Sequence, residues 1–575
     1  MSQTKQEALS ILALDIGTVF TRALLFEVVE ETYHFISAGV SSSTLNEPVN
    51  DATIGVLEAI RQLQALTGRI LLDEKNMPIV PSQAGGEGID RLFIAYSIGK
   101  QLRIATFGLM GDVSLQSCNK LAATIPGNIV ESISLNDPRT IQDQIDDTLV
   151  SRPELILFAG GTDRGASRSV KKMAYLIASV LQLIPKEQRA PVVYSGNQLL
   201  VKPVKEILDP FTQFNSTVNI RPEMDNEELE QAAEDLAQVV TAVHSNEINT
   251  LRRLTPMCND TPCPSATAIG RITRFLSKVG DPEKGVLSID LGASATITAS
   301  AVAGKMDLNV FPVGSAQGFE KFLTATSMSE ISQWFPAGTL LEEASDQLWQ
   351  KTLFPASIPM THEALTVDQA AYRQLLRYIM NELSARGVLA QNGYETILCS
   401  GSALTQAGNP AQLLMLLLDG IQPKGISTFI LDSHAILSTL GAIARTLPLL
   451  PVQVLESTAF ANLATVISTT SALRPGNLAL RARLQYTNGK SQEVKVKQGT
   501  LAVLPLRTGE SAMLELELNP TVQVETGELA DTHFKVNGGL CGLIIDARGR
   551  PLTLPTNIAR REELLQRWNS MLNIK

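Results

Sequence analysis

Leu12-Ala-Leu-Asp15-Ile16-Gly17-Thr18-Val19-Phe20-Thr21, near the start of the chain, and Leu287-Ser-Ile-Asp290-Leu291-Gly292-Ala293-Ser-Ala-Thr296, near its middle, carry Asp, Gly and Thr at identical offsets. Each is an apolar run of strand character that breaks at an Asp-x-Gly turn. Two such copies far apart in one polypeptide point to a duplicated α/β core with a ligand held between its halves. The flanking sequence extends the unit. Residues 11–40 read as three apolar β-rich runs divided by short polar breaks, and residues 52–66 carry Ile54, Val56, Leu57, Ile60, Leu63 and Leu66 at helical spacing behind an Asn50-Asp51 cap.

Between the copies, apolar strands at 91–97, 102–109, 155–158 and 192–194 alternate with polar or amphipathic stretches, the signature of α/β structure. After the second copy, residues 368–389 and 410–419 read as helices, and 395–399 and 428–431 as strands. From about Val452 the pattern shortens to alternating runs such as Leu478-Ala-Leu-Arg-Ala-Arg-Leu-Gln-Tyr and Met513-Leu-Glu-Leu-Glu-Leu, which suit a small antiparallel β domain closed by a polar helix over 557–572. A chain of 575 residues exceeds what one core organises. The division expected is a first lobe over 8–285 with an α/β insertion, a second lobe over 286–451, and a β-rich domain over 452–575.

A hydrophobic fraction of 44% with 18% charged residues is globular and far from the signature of disorder. The net charge of −10 and the absence of any Lys/Arg block argue against nucleic acid as a partner. The most apolar stretches, 413–418 and 447–455, fall short of the ~20 residues that span a bilayer, so no membrane segment is expected. The opening Met-Ser-Gln-Thr-Lys-Gln-Glu lacks a signal-peptide pattern, and five scattered cysteines (Cys118, Cys258, Cys263, Cys399, Cys541) suit free thiols in a reducing, cytoplasmic setting. Cys258 and Cys263 have no matching His/Cys pair, and the five histidines lack ligand spacing, so nothing argues for a zinc site.

The Asp-x-Gly turns have a physical use. Gly17 and Gly292 let backbone N–H groups approach phosphate oxygens, and Asp15 can hold a magnesium ion through water; the competing reading is ordinary hairpin punctuation. Thr18, Thr21 and Thr296 add hydroxyl donors, or else satisfy their own turns. Ile397-Leu-Cys-Ser-Gly401-Ser402-Ala-Leu-Thr-Gln-Ala-Gly408 runs from a strand through small residues into a helix. It either admits an adenine or ribose ring or merely connects two elements. Ala159-Gly160-Gly161-Thr162-Asp163-Arg164-Gly165 fails the P-loop spacing and reads equally as a tight helix entry.

Taken in order, the Asp15 turn, the Asp290 turn and the Gly401 loop resemble the phosphate-1, phosphate-2 and adenosine segments of the actin, sugar-kinase and heat-shock chaperone superfamily. Ala84-Gly85-Gly86, Leu157-Phe-Ala-Gly-Gly-Thr-Asp-Arg-Gly165, Tyr194-Ser-Gly-Asn197 and Pro262-Cys-Pro-Ser265 resemble the glutamate mutase L family, over about residues 10 to 450. This resemblance implies a duplicated actin-like ATPase (ribonuclease H-like) core, with ATP and magnesium as ligands. It also implies a cobalamin-dependent mutase as partner, whose damaged cofactor the protein would release at the expense of ATP. Carried over, Asp15, Gly17, Thr18 and Thr21 would serve the first phosphate turn; Asp290, Gly292, Ala293 and Thr296 the second; Gly401 and Ser402 the nucleoside. Asp15 and Asp290 are the candidate catalytic and metal-holding residues.

Five positions depart from the family pattern. Val19 and Phe20 stand where small hydroxyl residues are usual, Arg22 where lysine is common, Ala293 where glycine is usual, and Ile297 where an acidic residue commonly follows the threonine. Losing that carboxylate removes a metal- or water-orienting group, so slow hydrolysis or binding without turnover is expected. Two other readings stay open: a small-molecule kinase with Asp163 as base, and a nucleotide-binding scaffold without catalysis.

Overall fold

The computed structural model describes residues 9–45, 49–336, 338–525 and 533–574; the amino-terminal heptapeptide and the expected boundary at residue 8 lie outside them. Strand β1 (Ser10–Ile16) is buried at all seven positions, which is why it reads as a continuous apolar run rather than an alternating one. It pairs antiparallel with β2 (Phe20–Val29), which pairs with β3 (Thr32–Ser42), and parallel with β4 (Arg91–Tyr96). The helix Thr53–Thr67 covers one face through Val56, Ala59, Ile60 and Leu63 and ends at Gly68, whose φ of 71° suits the left-handed cap. Ala52 holds the cap position by its backbone, and of the expected Asn50-Asp51 cap Asp51 serves the helix start, accepting from the N–H of Thr53, its first residue, at 2.9 Å and from the Thr250 hydroxyl at 2.9 Å.

An insertion follows with five parallel strands, β5 (Leu102–Phe107), β6 (Gly127–Ile133), β7 (Leu155–Phe158), β8 (Val192–Tyr194) and β9 (Phe214–Ser216), in the order β6-β5-β7-β8-β9. The chain returns to the first sheet as β10 (Cys263–Pro264), parallel to β4, and crosses to the second lobe along the helix Ser265–Val279. There β11 (Gly285–Leu291), β12 (Thr296–Val302) and β13 (Lys305–Phe311) form an antiparallel meander, and β14 (Tyr394–Ser400) and β15 (Gly425–Leu431) add parallel to β11. Both lobes therefore carry three antiparallel strands continued by two parallel ones, β3-β2-β1-β4-β10 and β13-β12-β11-β14-β15. This is the duplicated α/β core that the paired turns imply, with the ribonuclease H-like strand order that the family resemblance leads one to expect. The helix expected over 368–389 is His362–Ala385, its early start set by the Thr361 hydroxyl accepting from Ala364 N–H at 3.1 Å.

The chain beyond the second lobe is rich in β structure: β16 (Ala461–Ser468), β17 (Thr470–Ser471), β18 (Leu478–Tyr486), β19 (Ser491–Lys497), β20 (Leu501–Leu504), β21 (Ser511–Leu518), β22 (Val522–Gln523), β23 (His533–Asn537) and β24 (Leu543–Asp546). Four of them, in the order β19-β18-β21-β23, make the alternating antiparallel sheet read from the sequence. Strands β16, β24 and β20 do something else: they extend the second-lobe sheet past β15 to eight strands. The expected boundary at residue 452 falls inside the helix Leu449–Leu455.

A buried ionic seam ties this region to the second lobe. Arg548 reaches Asp546 at 2.9 Å and Asp419 at 2.6 Å, Arg550 reaches Asp546 at 2.6 Å, Arg373 reaches Asp419 at 3.0 Å, and the Trp568 ring lies 4.9 Å from the Arg548 guanidinium. The five cysteines are free thiols, and among the described residues no helix is long and apolar enough to cross a membrane.

Candidate functional site

The two Asp-x-Gly turns and the Gly401 loop line one cleft between the lobes, about 600 Å³ counting space open to solvent. Backbone geometry explains the residue types. Gly17 N–H donates to Phe20 C=O at 3.0 Å, and a Cβ on Gly17 would stand 2.7 Å from that oxygen; on Gly292 it would stand 2.6 Å from Ala295 C=O. Gly401 has φ +101°, and a Cβ there would lie 2.3 Å from Leu291 C=O, so glycine alone fits. Turns this tight leave the N–H groups of Thr18, Val19, Ala293 and Ser294 without a hydrogen-bond partner among the described residues. Such unpaired donors at the ends of strands form a cradle for anionic oxygens.

The hydroxyls divide by position. Thr18 lines the cleft, Thr21 is fully buried with its Oγ1 unpartnered, and Thr296 donates to Val313 C=O at 2.8 Å, which spends it on holding the next loop. Ala293, Gly401 and Ser402 line the cleft beside Ser400 and Ala435. Ser265, the first residue of the crossing helix, lines it with a buried and unpartnered Oγ, a donor that the protein itself leaves unused.

Three carboxylates meet here around one guanidinium. Arg22, opposite Asp15 in the β1/β2 register, brings Nη1 to 3.3 Å from Asp15 Oδ2, and the Ser438 hydroxyl donates to Asp15 Oδ1 at 3.0 Å. Burial dominates all the same and pushes Asp15 up to about 6, opposed by Arg22 and the Ser438 hydroxyl and reinforced by Asp290 and Asp432. Asp290, which accepts from the Ser400 hydroxyl at 2.7 Å, is raised by burial against that hydroxyl and Arg22. Asp432 is raised by burial although three N–H groups, of His434, Ile436 and Leu437, donate to it. The cleft is thus short of positive charge. Among the described residues no group of three acidic, His or Cys side chains is gathered closely enough to hold a metal by itself. A magnesium ion that takes most of its ligands from phosphate and water fits such a site.

Sequence reasoning missed Asp432, Ser265 and Ser438 and saw Arg22 only as a departure. Asp432 had a usable signal, an aspartate at the end of a strand as Asp15 and Asp290 are; Ser438 reaches Asp15 only through the packing of distant helices. Those helices, Ser265–Val279 and Ile436–Ile443, touch so closely that a Cβ on Gly441 would lie 2.0 Å from Ala268 C=O. Ile297, 5% exposed, packs in a core with Ile436, Leu437 and Ala266, so an acid at that position would be buried among aliphatic groups. Asp163 is not among the cleft residues. It accepts from Gln198 N–H at 3.2 Å and Asn219 Nδ2 at 2.8 Å within the insertion.

Similarity to solved structures is distant. An acetone carboxylase in its nucleotide-free structure is 11% identical, with 85% of this chain and 81% of that one covered and a TM-score of 0.32. A diol dehydratase-reactivating factor in nucleotide-free form is 9% identical, with 76% and 99% covered and a TM-score of 0.31. The xylulose kinase of Bifidobacterium adolescentis is 10% identical, with 76% and 92% covered and a TM-score of 0.28. No curated protein matches the sequence. The family described as MutL protein matches residues 11–459, which takes in both lobes and every residue of the cleft, and the chain belongs to that family.

Proposed function

We propose that the cleft binds Mg-ATP and that nucleotide-driven closure of the lobes lets the protein reactivate an adenosylcobalamin-dependent mutase, the role that resemblance to glutamate mutase L implies. The observation that carries the nucleotide reading is the convergence of two glycine turns, with unpaired N–H groups, on one cleft beside the Gly401 loop. In this reading Thr18, Val19, Ala293 and Ser294 donate backbone N–H groups to the phosphates, and Arg22 supplies the fixed cation. Gly401 and Ser402 flank the nucleoside, and Asp15 and Asp290 hold the metal through water. Magnesium, when bound, supplies neutralisation of the triphosphate.

Closure has a structural route, because Ser438 of the helix Ile436–Ile443 already bonds Asp15 of the first lobe, so a ligand between the turns bears on both lobes at once. Hydrolysis is slow in this reading, since Ile297 offers no carboxylate and is fixed in the core.

Calorimetric titration with Mg-ATP tests the site: binding by the wild-type chain and its loss in Asp15→Ala and Asp290→Ala supports it, and unchanged binding in both variants removes it. Mixing the protein with an inactivated cobalamin mutase and Mg-ATP tests the role. A failure to restore activity or to associate in a nucleotide-dependent way sinks the chaperone reading while leaving nucleotide binding intact.

A further inference from the structure

A second groove runs between the insertion and the second lobe, about 1,380 Å³ counting space open to solvent, more than twice the nucleotide cleft on the same measure. One wall is β13, an edge strand of the eight-stranded sheet; the other includes β6, an edge strand of the insertion sheet, and the helix Gln116–Ala122. In the β12/β13 hairpin, the closing pair Val302↔Lys305 fixes which backbone groups face the partner strand. Alternation then turns the N–H and C=O groups of residues 306, 308 and 310 away from β12.

One of these outward groups is used: Val310 N–H donates to Ala123 C=O of the insertion at 2.7 Å. The outward groups of Met306 and Leu308 have no partner among the described residues, although Leu308 is only 6% exposed. Backbone groups so buried are nearly always paired, and an open sheet edge pairs most readily with another extended chain. The contact to Ala123 is the first bond of such a pairing, and the groove continues along the same edge.

The charges say what the chain would carry. Asp307 lines the groove half-buried, with no ion pair or hydrogen bond among the described residues. Burial raises its pKa and Glu227 adds to that, while Lys120 opposes it from a distance, itself committed to Glu227 at 2.7 Å. The other cation of the groove, Arg386, is engaged by Asn309 at 3.0 Å and lies over the Phe311 ring. A carboxylate in this setting lacks only a counter-charge.

We propose that this groove takes an extended peptide segment of a partner protein, which adds a strand to β13 through the outward groups of Met306 and Leu308 and sets a lysine or arginine against Asp307. A docked helix would satisfy its own backbone and leave those groups unpaired, so the extended form is the one that fits. The assignment stands without the nucleotide reading, and its test uses no nucleotide.

Decapeptides selected from a random display library on the full chain, labelled with fluorescein, provide the probe, read by anisotropy. Five results are expected. Hydrogen exchange at the Met306 and Leu308 amides slows on binding. N-methylation of the peptide at every second residue abolishes binding while the intervening positions tolerate it. Asp307→Asn lowers the affinity about tenfold for peptides with a central lysine or arginine. Met306→Pro, which removes an outward N–H and spares the ladder to β12, also weakens binding. Ile129→Arg, at a 43% exposed position on the opposite wall, does the same without touching β13 and decides the matter if the proline variant does not fold. Failure to select any binder, binding indifferent to N-methylation, or protection mapped away from β13 overturns the proposal.

Discussion

Two groups of buried aspartates in this protein are treated in opposite ways. In the seam between the second lobe and the β-rich region, Asp419 and Asp546 face three guanidinia, those of Arg373, Arg548 and Arg550, and Asp546 is held well below the usual carboxylate range by Arg548 and Arg550 despite complete burial. In the cleft, Asp15, Asp290 and Asp432 share one guanidinium, Arg22, and all three are raised by burial. The seam compensates its own charge and needs nothing more; the cleft is left wanting a cation. Compensated burial marks structure, and uncompensated burial marks a place for a ligand.

Breaking the seam has the largest expected effect. Asp546→Ala strands Arg550 and leaves Arg548 with Asp419 alone, which Arg373 also uses, and should cost about 3–5 kcal/mol in urea unfolding. The sign with pH follows from the lowered pKa. Asp546 contributes fully above the ordinary value of 3.8 and loses its contribution as pH falls below it, so the gap to Asp546→Asn should narrow in acid. No narrowing would mean that the pairing does not depend on the charge.

The cleft aspartates should behave as binding groups instead. Asp15→Ala and Asp290→Ala are expected to weaken Mg-ATP binding on the order of 100-fold, worth about 2.7 kcal/mol, while leaving the unfolding midpoint near that of the wild type. A large loss of stability with intact binding would reverse the comparison.

A third variant sharpens it through stability alone. Asp15 is raised from 3.8 to about 6, so the folded state favours the protonated form, and the cost of ionising it grows as pH climbs through that window and is complete above it. In the ligand-free protein Asp15→Asn should therefore stabilise by about 1–2 kcal/mol at pH 7 and by much less at pH 4. Equal effects at both pH values would show that burial does not govern this carboxyl.

The smallest effect separates the two turns themselves. Thr296→Val loses the bond to Val313 C=O and should cost about 1 kcal/mol, whereas Thr21→Val removes a hydroxyl with no partner and should be close to neutral in thermal unfolding. Equal costs would mean that the turns are interchangeable.

Much of the core was legible because its signals are local. An Asp-x-Gly turn at the end of an apolar strand is written in a few neighbouring residues, and its repetition exposed the duplication. The alternation of β18 and β21 likewise announced an antiparallel sheet. What escaped was pairing at a distance. β16, β20 and β24 have ordinary strand sequences, and nothing in them tells which sheet they join. Ile297 was visible as a missing acid, but the reason for an aliphatic side chain there, its packing against Ile436 and Leu437, lies more than a hundred residues along the chain.

The sequence by itself determined the turn chemistry, the two-lobed plan and the β-rich character of the last part of the chain, since these follow from periodicity and from the conformations that glycine permits. Only the tertiary structure decided that Arg22, Asp432, Ser265 and Ser438 share the cleft with Asp15 and Asp290, and that Asp163 does not. The physical reason is that the charge balance of a buried site is a sum over neighbours in space, and most of those neighbours come from strands and helices that the order of residues leaves far apart.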